Sequence, residues 1–469
     1  MPIGLASIRP MTYMNRTATT SALAIALCAG LLAPQVVAAA TAGGELARPT
    51  PQQAAWQDLE LGLFIHFDIP VFADAGYDWR KRRVLDANLY HPNKLNTDQW
   101  MEAAAGMGAR YAVFVAKHCT GFLSWQSEAY PYGVKQSNWR DGKGDVVRDF
   151  VGSCRRFRIE PGLYCSVSAN GYLGVDNPGL TDWGKGADKA KQADYIRTAE
   201  RLAEELWGNY GALNYVWFDG GALPPDQGGP DLVPILKRHQ PEAVAFQGPE
   251  GLPAGLTRWV GNEDGVARYP CWATVRKLNE EGSGQPDGKC WQPGECDVPL
   301  RGDLWFWQPD TEHRIRSLEN LMKIYYGSVG HNCNLIVNAN IDRDGLVPAA
   351  DLKRFKEFGD EIKRRFGKSL AETGGRGETV ELVLARPTAI DHVILMEQIT
   401  EGERMREYVV EGLVGGEWAL LCSGQSIGHK RIQQFSTTTV SKVRLRALKF
   451  AAEPIIRKLA VYHVGAPRA

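Results

Sequence analysis

Residues 213–221 read LNYVWFDGG, a short β-rich run from Tyr215 to Phe218 that closes on Asp219 and two glycines. Apolar residues on both sides of such a run predict a strand with no solvent face, as in a parallel sheet covered by helices. A carboxylate at its C-terminal end is where a closed barrel would present it to a pocket. The pattern recurs on either side. LGLFIHF at 61–67, ARYAVFVAKH at 109–118 and EPGLYCSVS at 160–168 precede it; AVAFQGP at 243–249, RWVGNE at 258–263, LWFWQP at 304–309 and HNCNLIVNAN at 331–340 follow. Helical patterns at 97–107, 145–157, 188–207 and 312–325 lie between them. Eight strand candidates alternating with helices predict an α/β fold, a (β/α)8-like TIM barrel. Several runs end on polar residues: His66, Lys117 and His118, Ser166 and Ser168, Asp219, Glu263 and Asn338. One such residue merely begins a loop, but six corresponding strand ends predict a shared pocket.

After a last helical stretch at 349–366 the texture changes. TVELVLAR, HVILMEQI, REYVVEGL, KVRLRALKF and IIRKLAVYHV follow without a long helix, which predicts a C-terminal antiparallel β-sandwich. Domain limits of 45–367 for the barrel and 368–469 for the sandwich follow, the latter binding sugar or simply packing on the barrel. Residues 1–40 read differently: Arg16 precedes an apolar run from Ala22 to Ala33, and then come Val37, Ala38, Ala39 and Ala40. That is the form of an export signal with a small-residue cleavage site. Its apolar run is short of the roughly 20 residues a membrane span needs. The mature chain is expected to be exported, periplasmic or extracellular, with no membrane attachment after cleavage.

The 54 basic and 54 acidic residues cancel, so nothing draws the chain to nucleic acid or to an anionic membrane. A neutral ligand fits better. Of nine cysteines, Cys28 leaves with the signal; Cys290 and Cys296 are the two nearest in sequence and the candidates for a disulfide. No CxxC or HExxH spacing occurs, and neither a metal nor an organic cofactor is expected.

Two strand-end carboxylates suit one reaction class. Retaining glycoside hydrolysis needs one carboxylate to attack the anomeric carbon and a second, protonated, to protonate the leaving oxygen, with the two roughly 5–5.5 Å apart. Asp219 and Glu263 are the candidates. Asp264 should alternate away from Glu263 and ranks below it. To serve as the acid, Glu263 must be kept protonated by burial or by the charge of Asp219. His66 and His118 could hydrogen-bond sugar hydroxyls as neutral imidazoles, and Tyr164, Trp217, Trp305 and Trp307 could form a stacking wall. Each also has an ordinary reading as core. A metal held by the two histidines and Asp219 lacks any local ligand spacing.

These residues resemble a family. LGLFIHF, LYHPNKLNTDQW at 89–100, AKHCTGF at 116–122, NWRDGKGDVV at 138–147, WFDGG at 217–221 and GNEDG at 261–265 together resemble glycoside hydrolase family 29, the α-L-fucosidases. The resemblance implies a retaining mechanism, Asp219 as nucleophile and Glu263 as acid/base. The GNE segment is similar to that of the branch acting on α-1,3- and α-1,4-linked fucose. It further implies sugar contacts from His66, His118, Tyr164 and Trp217, and a fucosylated oligosaccharide or glycoprotein glycan as substrate. GECDVPLR, with Glu295, Asp297 and Arg301, is similar to a segment near the pocket of that branch; a salt-bridged loop is the alternative. There is a departure: many members read KHHDGF where this chain has Cys119 and Thr120. A carbohydrate-binding protein on an inactive scaffold, or a barrel hydrolase for another sugar, remain the competing readings.

Overall fold

The computed structural model describes residues 45–465, apart from 75–76, 79–80, 82 and 183–187; the expected export signal lies outside the described residues. Eight parallel strands close a barrel in sequence order: β1 (Leu61–His66), β2 (Tyr111–Lys117), β3 (Glu160–Cys165), β4 (Tyr215–Trp217), β5 (Val244–Phe246), β6 (Leu256–Trp259), β7 (Gly294–Pro299) and β8 (Cys333–Asn340), with β8 returning to β1. LWFWQP at 304–309 is not among them; it lies in the loop after β7. Its apolar residues mark contact with a pocket rather than a strand. The true seventh strand, GECDVP, escapes an apolar search because it carries Glu295 and Asp297 into the barrel.

Helix α1 (Pro51–Leu59) closes the N-terminal end of the barrel, where Trp56 meets the rings of Tyr111 and Tyr215 at 6.3 and 5.4 Å. Gly62 makes room above this plug, since a Cβ there would fall 2.4 Å from the Tyr111 ring. Helices α2 (Thr97–Met107), α3 (Val146–Phe157), α4 (Lys189–Gly208), α5 (Val233–His239), α6 (Leu318–Gly327) and α7 (Ala349–Phe366) complete the helix set. Their starts follow from side-chain caps: Asn96 holds the first amides of α2, Asp145 that of α3 and Ser317 that of α6. The Ser317 cap explains why the stretch predicted from 312 begins as a separate 3-10 turn at Glu312–Arg314. No described helix is long and apolar enough to cross a membrane.

Beyond α7, six antiparallel strands form one sheet: β9 (Ala371–Arg376), β10 (Thr379–Glu397), β11 (Met405–Val414), β12 (Glu417–Gly424), β13 (Arg431–Phe450) and β14 (Ile455–Tyr462), in the order β9-β14-β10-β13-β11-β12. The long pair β10 and β13 breaks register between Val383 and Thr388 and again between Ile390 and His392. These irregularities let the sheet curl, so that Val380 and Leu382 from one half of β10 share a core with Val393 and Leu395 from the other. The sheet is fastened to the barrel by Glu403, which accepts from the Ala273 amide at 3.0 Å, and by His429 and Lys430, which reach Glu60. The eight cysteines of the described region are all free thiols. Cys290 and Cys296 do not pair, because Cys296 is buried on β7 beside Cys333 while Cys290 sits in a separate two-stranded ribbon.

Candidate active site

The C-terminal strand ends open on a cavity of about 740 Å³. His66 and His118 reach it from β1 and β2, Tyr164 from β3, Trp217 and Asp219 from β4, and Glu263 from beyond β6. Six of the residues singled out in the sequence are thus brought together, with Trp305 and Trp307 on the loop after β7.

Asp219 sits at the base. Gly220 and Gly221 follow with φ of 69° and 77°, and a Cβ on Gly220 would lie 2.7 Å from Asn177 Nδ2 and 3.0 Å from Ser168 Oγ. Only glycine fits that turn. The Ser168 hydroxyl donates to the Asp219 carbonyl, and the Tyr164 hydroxyl donates to Asp219 Oδ2 at 2.7 Å. Burial pushes the Asp219 carboxyl up, while Tyr164 and then the charge of Lys117 oppose it. Lys117 is itself buried, its Nζ 2.5 Å from the carbonyls of Ser166 and Ala169. Cys119 Sγ lies 3.9 Å from Asp219 Oδ2, and burial, with the charge of Asp219, pushes its thiol to about 12. It is a neutral group beside the carboxylate.

His66 has its tautomer set by a chain of bonds. Asn338 Nδ2 donates to the Trp305 carbonyl at 2.8 Å, so Asn338 Oδ1 faces His66 Nδ1 at 2.7 Å and takes its hydrogen. Nε2 is left as an acceptor, and burial pulls the imidazole down to about 3, so it stays neutral. The His118 ring stacks on Tyr164 at 5.9 Å and meets Phe306 edge-on at 5.0 Å. Trp217 stacks on Phe246 at 3.8 Å, and its Nε1 donates to Glu295 Oε2 at 2.8 Å. Glu295, on the barrel floor, also takes the hydroxyls of Tyr111 and Tyr215; burial pushes it up to about 7.

Glu263 is exposed at the mouth, where Trp305 Nε1 donates to Oε2 at 2.9 Å. The burial expected to help hold its proton is not found. Arg301 does not join the site either: it is 1 % exposed and its guanidinium is committed to Asp351 of α7, with contacts of 2.7–3.1 Å. The salt-bridged alternative holds for this residue, while its neighbour Asp297 does line the cavity. Thr120, in place of the family's Asp, donates to Asp68 at 2.6 Å behind the pocket. Sequence reading undervalued Asp297 and Phe306; the spacing of Glu295 and Asp297 by two along one run was the available signal, since it puts both on one strand face.

His118, Cys119 and Asp219 place possible ligand atoms within 4.8 Å of one another. Asp219 Oδ2 already accepts from Tyr164 at 2.7 Å, so a metal ion there would have to displace that bond and take the proton of the Cys119 thiol.

A sequence profile described as alpha-L-fucosidase matches residues 44–365. The chain belongs to the α-L-fucosidase family. Alpha-L-fucosidase 1 of Arabidopsis thaliana is 28% identical over 88% of this chain and 87% of its own length. A crystal structure from Bacteroides thetaiotaomicron, provisionally described as an alpha-L-fucosidase, superposes with a TM-score of 0.85 at 39% identity, covering 90% of this chain and 100% of that one. A glycoside hydrolase 29 family member from an unknown rumen bacterium matches with a TM-score of 0.77 at 28% identity, over 90% and 78% of the two chains. Barrel and C-terminal antiparallel sheet are therefore those of the family, and the chain is a glycoside hydrolase, an α-L-fucosidase.

Proposed function

We propose that this α-L-fucosidase works by double displacement with retention, removing terminal α-1,3- or α-1,4-linked L-fucose from oligosaccharides or glycoprotein glycans. The observation that carries the mechanism is the pairing of Asp219, oriented by Tyr164 at the pocket base, with Glu263, held by Trp305 in the same cavity. Asp219 attacks C1 of the fucosyl unit as Glu263 protonates the glycosidic oxygen, giving a β-fucosyl-enzyme ester. Water, deprotonated by Glu263, then releases α-L-fucose. His66 Nε2 accepts from a sugar hydroxyl, and Trp217, Trp305 and Phe306 offer apolar surface to the ring and its 6-methyl group. The linkage rests on the resemblance of GNE at 261–263, and the N-terminal pattern supports action outside the cytoplasm.

The test is release of L-fucose from α-1,2, α-1,3, α-1,4 and α-1,6 fucosylated oligosaccharides, with the anomer first formed read by NMR. Release from the α-1,3 and α-1,4 substrates as the α anomer is expected. Asp219→Ala should abolish it, and Glu263→Ala should lower it by about 10²–10⁴. The β anomer appearing first would overturn retention. Binding without release by the wild-type chain would point to a carbohydrate-binding role.

A further inference from the structure

Lys117 ends β2 beneath the pocket, and the double displacement gives it no task. It is 1 % exposed, and among the described residues it forms no ion pair. A buried ammonium is ordinarily paired with a carboxylate, because leaving it without one is expensive. Here two carbonyls take that place: Nζ donates to Ser166 and to Ala169, at 2.5 Å each. Strand register brings it there. β2 and β3 shift register between Val115 and Lys117, and the Ala116 carbonyl accepts from the amide and the hydroxyl of Ser124 at 3.2 and 2.8 Å. A break of this kind re-aims the side chain that follows it.

The two carbonyls belong to the turn after β3, residues 166–169, which is held at further points. The Val167 carbonyl accepts from the Tyr195 hydroxyl of α4 at 2.5 Å, and the Ala169 amide donates to Ser166 Oγ at 3.3 Å. From the same turn the Ser168 hydroxyl donates to the Asp219 carbonyl, and Gly220 lets the two segments close on each other. Asp219 is thus held twice from β3 and its turn. Tyr164 grips Oδ2, and Ser168 fixes the main chain from which that carboxylate projects.

Resting on the reading of Asp219 as nucleophile, we propose that Lys117 is a positioning residue for it: Nζ gathers the Ser166 and Ala169 carbonyls so that Ser168, between them, holds the Asp219 main chain where its carboxylate can attack C1. Lys117 does not line the cavity, so its contact with the reaction runs through this turn. Its charge, which favours the ionised form of Asp219, works in the same direction. No atom of Lys117 is transferred. What it supplies is placement, and a displacement of about 1 Å at a reacting group can cost about a hundredfold in rate.

The experiment is a double-mutant cycle of Lys117→Met and Ser168→Ala. It reads kcat/KM on a fucosylated oligosaccharide and on an aryl fucoside whose phenolate leaves without protonation, with the inhibition constant of L-fucose reporting the hold on the sugar. Lys117→Met keeps most of the stem and deletes the donor. It should lower kcat/KM by about ten- to a hundredfold on both substrates alike, since both need the same nucleophile, while the fucose constant changes less than about threefold. Ser168→Ala should cost about tenfold by itself, yet add less than about twofold on top of Lys117→Met, because the bond it removes is already lost. Losses that multiply overturn the proposal, as does Ser168→Ala with unchanged kcat/KM. So does a loss confined to the oligosaccharide, which marks disturbed proton donation, or a fucose constant weakened as much as kcat/KM, which marks a pocket deformed as a whole. Should Lys117→Met not fold, Lys117→Arg keeps the charge but moves the donors on a longer head, and it enters the same cycle: a shared loss is expected, and losses that multiply again overturn the proposal. Undiminished turnover in Asp219→Ala would instead sink the nucleophile reading, a separate failure.

Discussion

Tyr164 concentrates two tasks in one side chain. Its ring packs between His118 and Trp217, at 5.9 and 5.3 Å, while its hydroxyl donates to the half-buried Asp219 carboxylate at 2.7 Å. Tyr164→Phe separates them, keeping the ring and deleting the donor. A hydrogen bond to a charged group contributes about 1.5–3 kcal/mol, so kcat/KM should fall by about ten- to a hundredfold. The sign of the pH effect also follows. Tyr164 lowers the proton affinity that burial raises at Asp219, so without it the proposed nucleophile holds its proton to higher pH and the acid limb moves up. An acid limb left in place would show that Lys117 and Cys119 suffice. At this scale the sequence was legible where chemistry and strand position coincide: Asp219, His66 and Glu263 each follow an apolar run. It misled at Arg301, because a strand-end guanidinium looks the same whether it meets a sugar or, as here, a carboxylate on a helix more than forty residues later.

That ion pair is an element-scale device, tying the loop after β7 to α7. Both partners are almost fully buried, at 1% and 0% side-chain exposure. Removing one leaves a buried charge uncompensated, which costs about 3–5 kcal/mol. Arg301→Ala should therefore lower the free energy of unfolding by about that much, read from a denaturant titration, while KM for the fucoside changes less than about twofold in the protein that remains folded. A large KM effect with unchanged stability would restore Arg301 to the pocket. The same region explains why one strand escaped the sequence. β7 is read correctly only if a strand facing a polar barrel floor is allowed to carry carboxylates, and Tyr111, Tyr215 and Trp217, the donors that make Glu295 tolerable there, lie on two other strands. Pairings of that kind depend on closure of the barrel and leave no local mark. Four of the C-terminal strands, β10, β11, β13 and β14, were by contrast plain from their apolar patterning, as in β11 and β13, which bury roughly alternate residues; β9 and β12, which bury no side chain fully, left no such pattern.

For the whole molecule, the seam between barrel and C-terminal sheet carries two carboxyls, a half-buried Glu60 and a buried Glu403, that respond to pH in opposite senses. Partial burial of Glu60 works against ionisation, but the charge of Lys430 and the bond from His429 outweigh this and hold it down at about 2. Its contribution, up to about 3 kcal/mol, is present above the unfolded carboxylate value of about 4.5 and is lost as pH falls towards 2. Glu403 goes the other way: burial and the charge of Glu397 push it up to about 7 against the Ala273 amide and Asn332. The folded state then binds its proton more tightly than the unfolded chain, so stability falls as pH rises from about 4.5 to 7 and is level above. Melting curves of wild type, Glu60→Gln and Glu403→Gln across pH 3 to 8 separate the two. The deficit of Glu60→Gln should grow between pH 3 and 5, and Glu403→Gln should gain on wild type between pH 5 and 7, whatever constant offset its altered hydrogen bonds introduce. Parallel curves for Glu403→Gln and wild type would mean that this carboxyl is already ionised at pH 5, with its amide donors outweighing its burial. If the curves diverge as expected, the seam is tightest in mildly acidic solution, which suits a glycosidase whose acid/base must keep a proton to work.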